Sequence, residues 1–286
     1  MATSPSHQLG EWIGDFFEVA IIQYLKPIVS QKGYYLDYKH PRPARGNRHE
    51  VIGTDCNGNH HKLDIVVEKN GSETNFGTPK AFIEMAWRRY VKHSKNKVQE
   101  IAGAILPLVN AHAKDMPFYA AVLAGEFTQA SIFQLESSGF FVLYFNYAEI
   151  CSLFETIGIS IHWEENTSEA DLQRIADSLR FLDDVRRNQL FINFFAMYQK
   201  RLNELALRLC EALDTFVSDV VVVPIHGTPK TLHSIDDAIN FVLQYDESSV
   251  VPILRYEIIV RYSNGDEYTM KCSNKSKAVQ FLNQYT

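Results

Sequence analysis

The sequence predicts a mixed α/β protein: a sheet flanked by helices, followed by a smaller α+β domain. Three observations carry this. A helical N-terminal run leads into three strand-like segments. Two more strand patterns, apolar enough to be buried, each follow a helical pattern. The C-terminal part then contains a strand–strand–helix unit twice. Meander strands followed by βαβ-like returns give a mixed sheet with helices on its faces.

The elements follow in chain order. Residues 11–29, EWIGDFFEVAIIQYLKPIV, place Trp12, Phe16, Val19 and Ala20 on one helical side with Ile13 and Phe17 beside them. Pro27 is expected to end or kink that helix. Glu11, Asp15 and Glu18, at i, i+4 and i+7, share a face. Residues 33–38 read as a strand, and the basic, Pro/Gly-rich stretch 39–50 as a loop. Residues 61–71 read as one strand ending in a turn at Asn70-Gly71, and 79–87 as the next, antiparallel if a hairpin joins them.

A helix is predicted over Ser94–Ala111, capped by Ser94, with an apolar stripe of Val98, Ile101, Ile105 and Val109 and a kink or early stop at Pro107. Residues 118–127 read as a buried strand. A short helix over 128–139 follows, with Thr128 as N-cap and Gly139 as its stop, then a second buried strand over 140–147. Two helices with broad apolar faces fill Thr167 to about Phe216, and either join two domains or extend the first. The expected domains are a core over 1–165, a helical connector over 166–216 and a repeat domain over 217–286. In the last, DDAINFVLQY (236–245) matches SKAVQFLNQY (276–285) at a constant offset, each behind a β-rich stretch, and Asn264-Gly265 marks a hairpin.

The composition narrows the function classes. Hydrophobic residues make up 46% and charged residues 22% of 286 positions, as in folded water-soluble proteins. No apolar run reaches the roughly 20 residues of a membrane helix, and the N-terminus lacks a secretory pattern, so a cytoplasmic, bacterial-type setting is expected. The cysteines 56, 151, 210 and 272 form no CxxC pair, which argues against a cysteine zinc site and a disulfide framework. No P-loop, Rossmann glycine pattern, GxSxG or HExxH is present. His60-His61 has no third ligand at useful spacing and reads as a turn leading into a strand. The net charge of −6 opposes general coating of nucleic acid but not a local anion site.

The segment KAFIEMAWRRYVKHSKNK (80–97) is where charge concentrates. Asp64 in LDIVV and Glu84 in FIEMA lie on the two strands expected to be neighbours. Two close carboxylates repel unless a cation sits between them, and an oxygen-rich site of this kind suits Mg²⁺, which polarises phosphoryl oxygens and activates water. Arg88, Arg89, Lys92, His93, Lys95 and Lys97 follow at once. They are positioned to hold phosphates, and cations in a helix's first turn are best tolerated beside an anion. Arg42, Arg45 and Arg48 in the basic loop are candidates for a DNA groove; a solvated charged loop explains them equally well. Trp87 and Tyr90 could stack on bases, but they read more simply as core.

An acid-bearing helix, an Asp strand, a Glu strand, a helix and further strands over residues 8–150 resemble the PD-(D/E)xK nuclease superfamily, whose best-known members are type II restriction endonucleases. The resemblance implies a restriction-endonuclease-like core of order αβββαβ. It implies Asp64 and Glu84 as metal-binding catalytic carboxylates, Glu18 as the helix acid near the same site, Mg²⁺ as cofactor, double-stranded DNA as substrate, and a homodimer if the target is palindromic. The superfamily's lysine two residues after the Glu is here Ala86. Three readings of that departure stand: a cation supplied from elsewhere (Lys62, on the same strand face as Asp64, first among the candidates), an inactivating substitution at 86, or a nuclease fold that binds without cutting. A nuclease recognising DNA structure instead of sequence is a further alternative.

Overall fold

The N-terminal apolar pattern forms a 27-residue helix, α1 (Pro5–Gln31), which runs straight through Pro27. The expected stop fails because Leu9, Ile13, Phe17, Ala20, Ile21, Leu25 and Val29 bury along its whole length. That burial outweighs the roughly 3 kcal/mol an internal proline costs. Pro27 and Gln23 are both exposed, so the carbonyl left without an N–H partner faces water.

The computed structural model describes residues 4–248 and 253–285. The chain divides into two units, Met1–Leu213 and Asp214–Thr286.

In the first unit, α1 is followed by β1 (Tyr34–Tyr38), β2 (Val51–Thr54), β3 (His60–Leu63), β4 (Ile65–Lys69), β5 (Thr78–Arg88), α2 (Ser94–Ala111), β6 (Phe118–Gly125), α3 (Gln129–Ser137) and β7 (Phe141–Asn146). Five of these strands form a sheet of order β1-β4-β5-β6-β7. The pairs β1–β4 and β4–β5 are antiparallel, while β5–β6 and β6–β7 are parallel. The sheet is therefore mixed, with helices on its faces, as the alternation of patterns predicts. One face packs on α1 through Ile65, Val67, Ala81 and Ile83. The other packs on α2 and α3 through Val66, Phe82, Leu123, Ile101 and Ile105.

The run 61–71 is not one strand. It breaks at Asp64 into β3, which pairs with β2 in a separate two-stranded ribbon, and β4, which joins the main sheet. Ser94 does not cap α2: it is its first residue, buried, with its hydroxyl 3.2 Å from that of Ser131. Thr128 does cap α3, accepting from the Ser131 N–H, and Gly139 leaves that helix at φ +90°.

Beyond β7 the chain forms α4 (Tyr147–Glu155), α5 (Glu169–Arg180) and α6 (Asp184–Leu213). The expected connector over 166–216 instead belongs to the first unit as far as Leu213. Leu190, Phe194, Tyr198, Leu202 and Leu209 of α6 join the same core as α1 and the sheet.

The second unit contains β8 (Val217–Pro224), β9 (Lys230–Leu232), α7 (Ile235–Gln244), β10 (Tyr256–Tyr262), β11 (Glu267–Cys272) and α8 (Lys275–Leu282). Its sheet has order β11-β10-β8-β9, and every pair is antiparallel. The internal repeat is structural. Ser234 and Asn274 cap α7 and α8 in the same way, and the equivalent residues Val220 and Val260 face each other across the central strands.

Candidate active site

Asp64 occupies the break between β3 and β4 for a local reason. Leu63 belongs to the ribbon and Ile65 to the main sheet, so the chain turns at the residue between them. The β4–β5 register, Ile65 opposite Ile83, puts Asp64 opposite Glu84 when continued by one step. The two side chains reach each other's strand. The Met85 N–H donates to Asp64 Oδ2 at 2.7 Å, and the Asp64 N–H donates to Glu84 Oε1 at 3.3 Å. Since β4 does not extend past Asp64, the Asp64 carboxylate takes over pairing of an N–H on β5 that no strand covers.

A cavity of about 170 Å³ opens at this point. Glu11, Asp15 and Glu18 from α1, together with Asp64, Ala86 and Trp87, line its walls. The helical face that gathers three acids thus looks onto the sheet acid, and Ala86 borders the cavity while belonging to the α2-side core.

These carboxylates are held in an unfavourable electrostatic state. Burial, then the Asp64 charge, pushes Glu84 up to about 8. Burial, then Asp64 and Asp15, pushes Glu18 up to about 7. Asp64 is raised by burial, with partial relief from the Met85 N–H, Lys97 and Lys39. Neither Asp64 nor Glu84 forms an ion pair within 4 Å among the described residues. Lys97, in the first turns of α2 and mostly buried, pairs with Glu100 at 2.7 Å, yet its charge acts on both carboxylates. Lys39 follows β1, and the β1–β4 register, Tyr38 opposite Ile65, brings it across from Asp64.

Several expected site residues lie elsewhere. Lys62 is on the β2–β3 ribbon, highly exposed, and pairs with Glu50 at 2.6 Å; it is not the cation of the carboxylate pair. Arg42 and Arg45 are not groove contacts. Arg42 is wholly buried, bonded to Asp37, to both Glu68 oxygens and to the Ser72 and Asn75 carbonyls. Arg45 binds Asp37 and the Tyr38, His40 and His49 carbonyls. Two buried acids require these guanidiniums, because an unpaired buried charge costs several kcal/mol.

Arg89 is likewise structural. It donates to the Trp163 carbonyl and lies 3.8 Å over the Tyr147 ring. Lys92 is exposed and bound to Glu165 at 2.7 Å. Arg88 donates to the neighbouring Trp87 carbonyl. His93, Lys95 and Arg48 remain at the surface. Trp87 packs in the core beside Tyr147 and Trp163.

Sequence reading missed Lys39, whose role appears only once β1 is paired with β4. It also missed α4, although Asn146 and Glu149 spell its capping box.

Among the described residues, no group of three or more His, Cys, Asp or Glu side chains is placed to hold a metal ion. Mg²⁺ does not need such a cage: it usually takes one or two carboxylates and fills its remaining positions with water and substrate phosphates. The Asp64–Glu84 pair, all oxygen, mutually repelling and bonded to no cation, fits that sparse requirement.

No family model matches the chain, and no curated protein does. Among solved structures, the crystal structure of a protein of unknown function aligns with 66% of this chain and 99% of its own length, at 12% identity and a TM-score of 0.29. No helix among the described residues is long and apolar enough to cross a membrane.

Proposed function

We propose that the protein is a Mg²⁺-dependent nuclease acting on double-stranded DNA, of the restriction-endonuclease type. The carrying observation is the Asp64–Glu84 pair, brought into register at a strand break and left without a bonded cation. The order α1, three sheet strands, α2 and a parallel β6 also agrees with the αβββαβ core that the sequence resemblance implies.

In this reading Asp64 and Glu84 hold the ion, and Glu18 extends the acidic wall. A bound Mg²⁺ supplies the positive charge that polarises a phosphoryl oxygen and activates water. Lys97 supplies the side-chain cation that position 86 lacks. It reaches the site from the helix packed over the Glu84 face instead of from β5, and its release from Glu100 lets the ammonium meet negative charge on a phosphate. His93 and Lys95 are the surface cations left to contact the backbone of a duplex.

Ala86, standing where the superfamily's lysine is expected, favours one second reading: a nuclease fold that binds DNA or a protein complex without cutting. Incubation with long duplex DNA and Mg²⁺ separates the two. Discrete products that disappear in Asp64→Ala support the nuclease, and random nicking or end-shortening indicates a nuclease that reads DNA structure. Binding without cleavage, unchanged by Ala86→Lys, supports the second reading.

A further inference from the structure

A second cavity, of about 880 Å³, lies between the β2–β3 ribbon, the sheet and the C-terminal end of α2. Its size is within the range of small-molecule sites. None of Glu11, Asp15, Glu18, Asp64 and Glu84 lines it, so it is a separate feature from the acidic site.

Three properties define what it can hold. Its accessible apolar surface is that of Phe76 and Ile52, largely and half exposed, while Val66, Phe82, Leu63 and Leu108 behind it are buried in the α2-side core. All four residues of β2 line it, so that strand's backbone borders the space, and β2 has no strand partner on its second edge among the described residues. Unpaired N–H and C=O groups alternate along such an edge and can match the donors and acceptors on the rim of a heterocycle.

The third property is charge. The lining acids are already answered: Asp37 and Glu68 by buried arginines, and Glu50 by Lys62. Arg48 spends only its Nε, on the Arg45 carbonyl, and forms no ion pair among the described residues. Beside it, the His49 ring has no side-chain partner among the described residues. The uncommitted charge of the cavity's lining is therefore positive.

We propose that this cavity binds a nucleoside monophosphate unit, with the base between the exposed Phe76 ring and the β2 backbone edge and the phosphate on Arg48 and His49. A planar ring with a hydrogen-bonding rim and an attached dianion meets all three properties together; an apolar ligand leaves Arg48 and the β2 edge unused. The inference does not depend on the nuclease reading.

Isothermal titration of the full chain, in EDTA so that no divalent ion takes part, tests it with deoxynucleoside 5′-monophosphates, the matching nucleosides and inorganic phosphate. At least one monophosphate should bind about tenfold or more tighter than its nucleoside and than phosphate, since a guanidinium–phosphate contact is charge-assisted. Arg48→Ala should reduce the monophosphate to the nucleoside's affinity. Ile52→Trp, at a half-exposed β2 position on the cavity, should abolish binding while the circular dichroism spectrum is kept. Displacement of the monophosphate by a single-stranded oligonucleotide would identify a strand nucleotide as the occupant, and no displacement the free nucleotide. Absence of millimolar binding, equal binding of phosphate alone, or folded Arg48→Ala and Ile52→Trp proteins with unchanged affinity would each overturn the proposal.

Discussion

Replacing Glu84 by glutamine removes one charge from the carboxylate pair while keeping the side chain's shape. The amide oxygen can still accept from the Asp64 N–H, and the amide nitrogen can donate to the Asp64 carboxylate. In the wild-type protein without metal, the Glu84 carboxyl is raised from 4.5 to about 8 by burial and by Asp64. Between those pH values the folded state holds a proton that the unfolded chain has released. Stability is therefore lost as pH rises from about 4.5 through about 8. At about 1.4 kcal/mol per pH unit the full loss reaches roughly 5 kcal/mol, and about 2–5 kcal/mol is expected because Asp64 shares the repulsion. Glutamine does not titrate and avoids it.

For a unit of this size, 1 kcal/mol moves the melting temperature by about 2–4 °C. Thermal unfolding in EDTA should show Glu84→Gln and wild type within about 3 °C of each other at pH 5. The variant should then become more stable by about 5–15 °C at pH 9. Adding Mg²⁺ at pH 9 should recover most of that gap in the wild type and little in the variant. Parallel melting curves across the whole pH range would refute the argument that Glu84 is ionised against its surroundings. A Mg²⁺ shift of equal size in both proteins would remove it as a ligand.

Other consequences are as direct. Lys97→Met should lower any Mg²⁺-dependent cleavage by about 10²- to 10³-fold, whereas Lys62→Met, at the exposed pair with Glu50, should leave it nearly unchanged in a digestion time course. Arg42→Met strands Glu68 and weakens the hold on Asp37. It should cost about 3–5 kcal/mol in denaturant unfolding, with no loss of DNA affinity in the protein that stays folded. Ala86→Lys adds an ammonium at the wall of the acidic cavity. It should draw Glu84 down from about 8 toward its ordinary range, shifting the pH dependence of melting to more acidic values.

Position 84 shows what can be read from the chain alone. Ile83 and Met85 flank an acid on an alternating strand, and the spacing from Asp64 suits a hairpin, so the carboxylate pair and the mixed sheet were both legible. So were α2, the Thr128 cap and the C-terminal repeat, because each depends on residues a few positions apart. Arg42, Arg45 and Arg89 show the limit. In sequence they are loop or surface cations, and only packing supplies the buried Asp37 and Glu68, or the Tyr147 ring, that claims them. The break at Asp64, the arrival of Lys39 opposite it and of Lys97 from α2, and the joining of α5 and α6 to the first unit were likewise decided by tertiary structure. Backbone sterics and side-chain periodicity act locally and leave their mark on the sequence. Which strands pair, and which charge each acid then faces, is set by contacts between segments far apart along the chain.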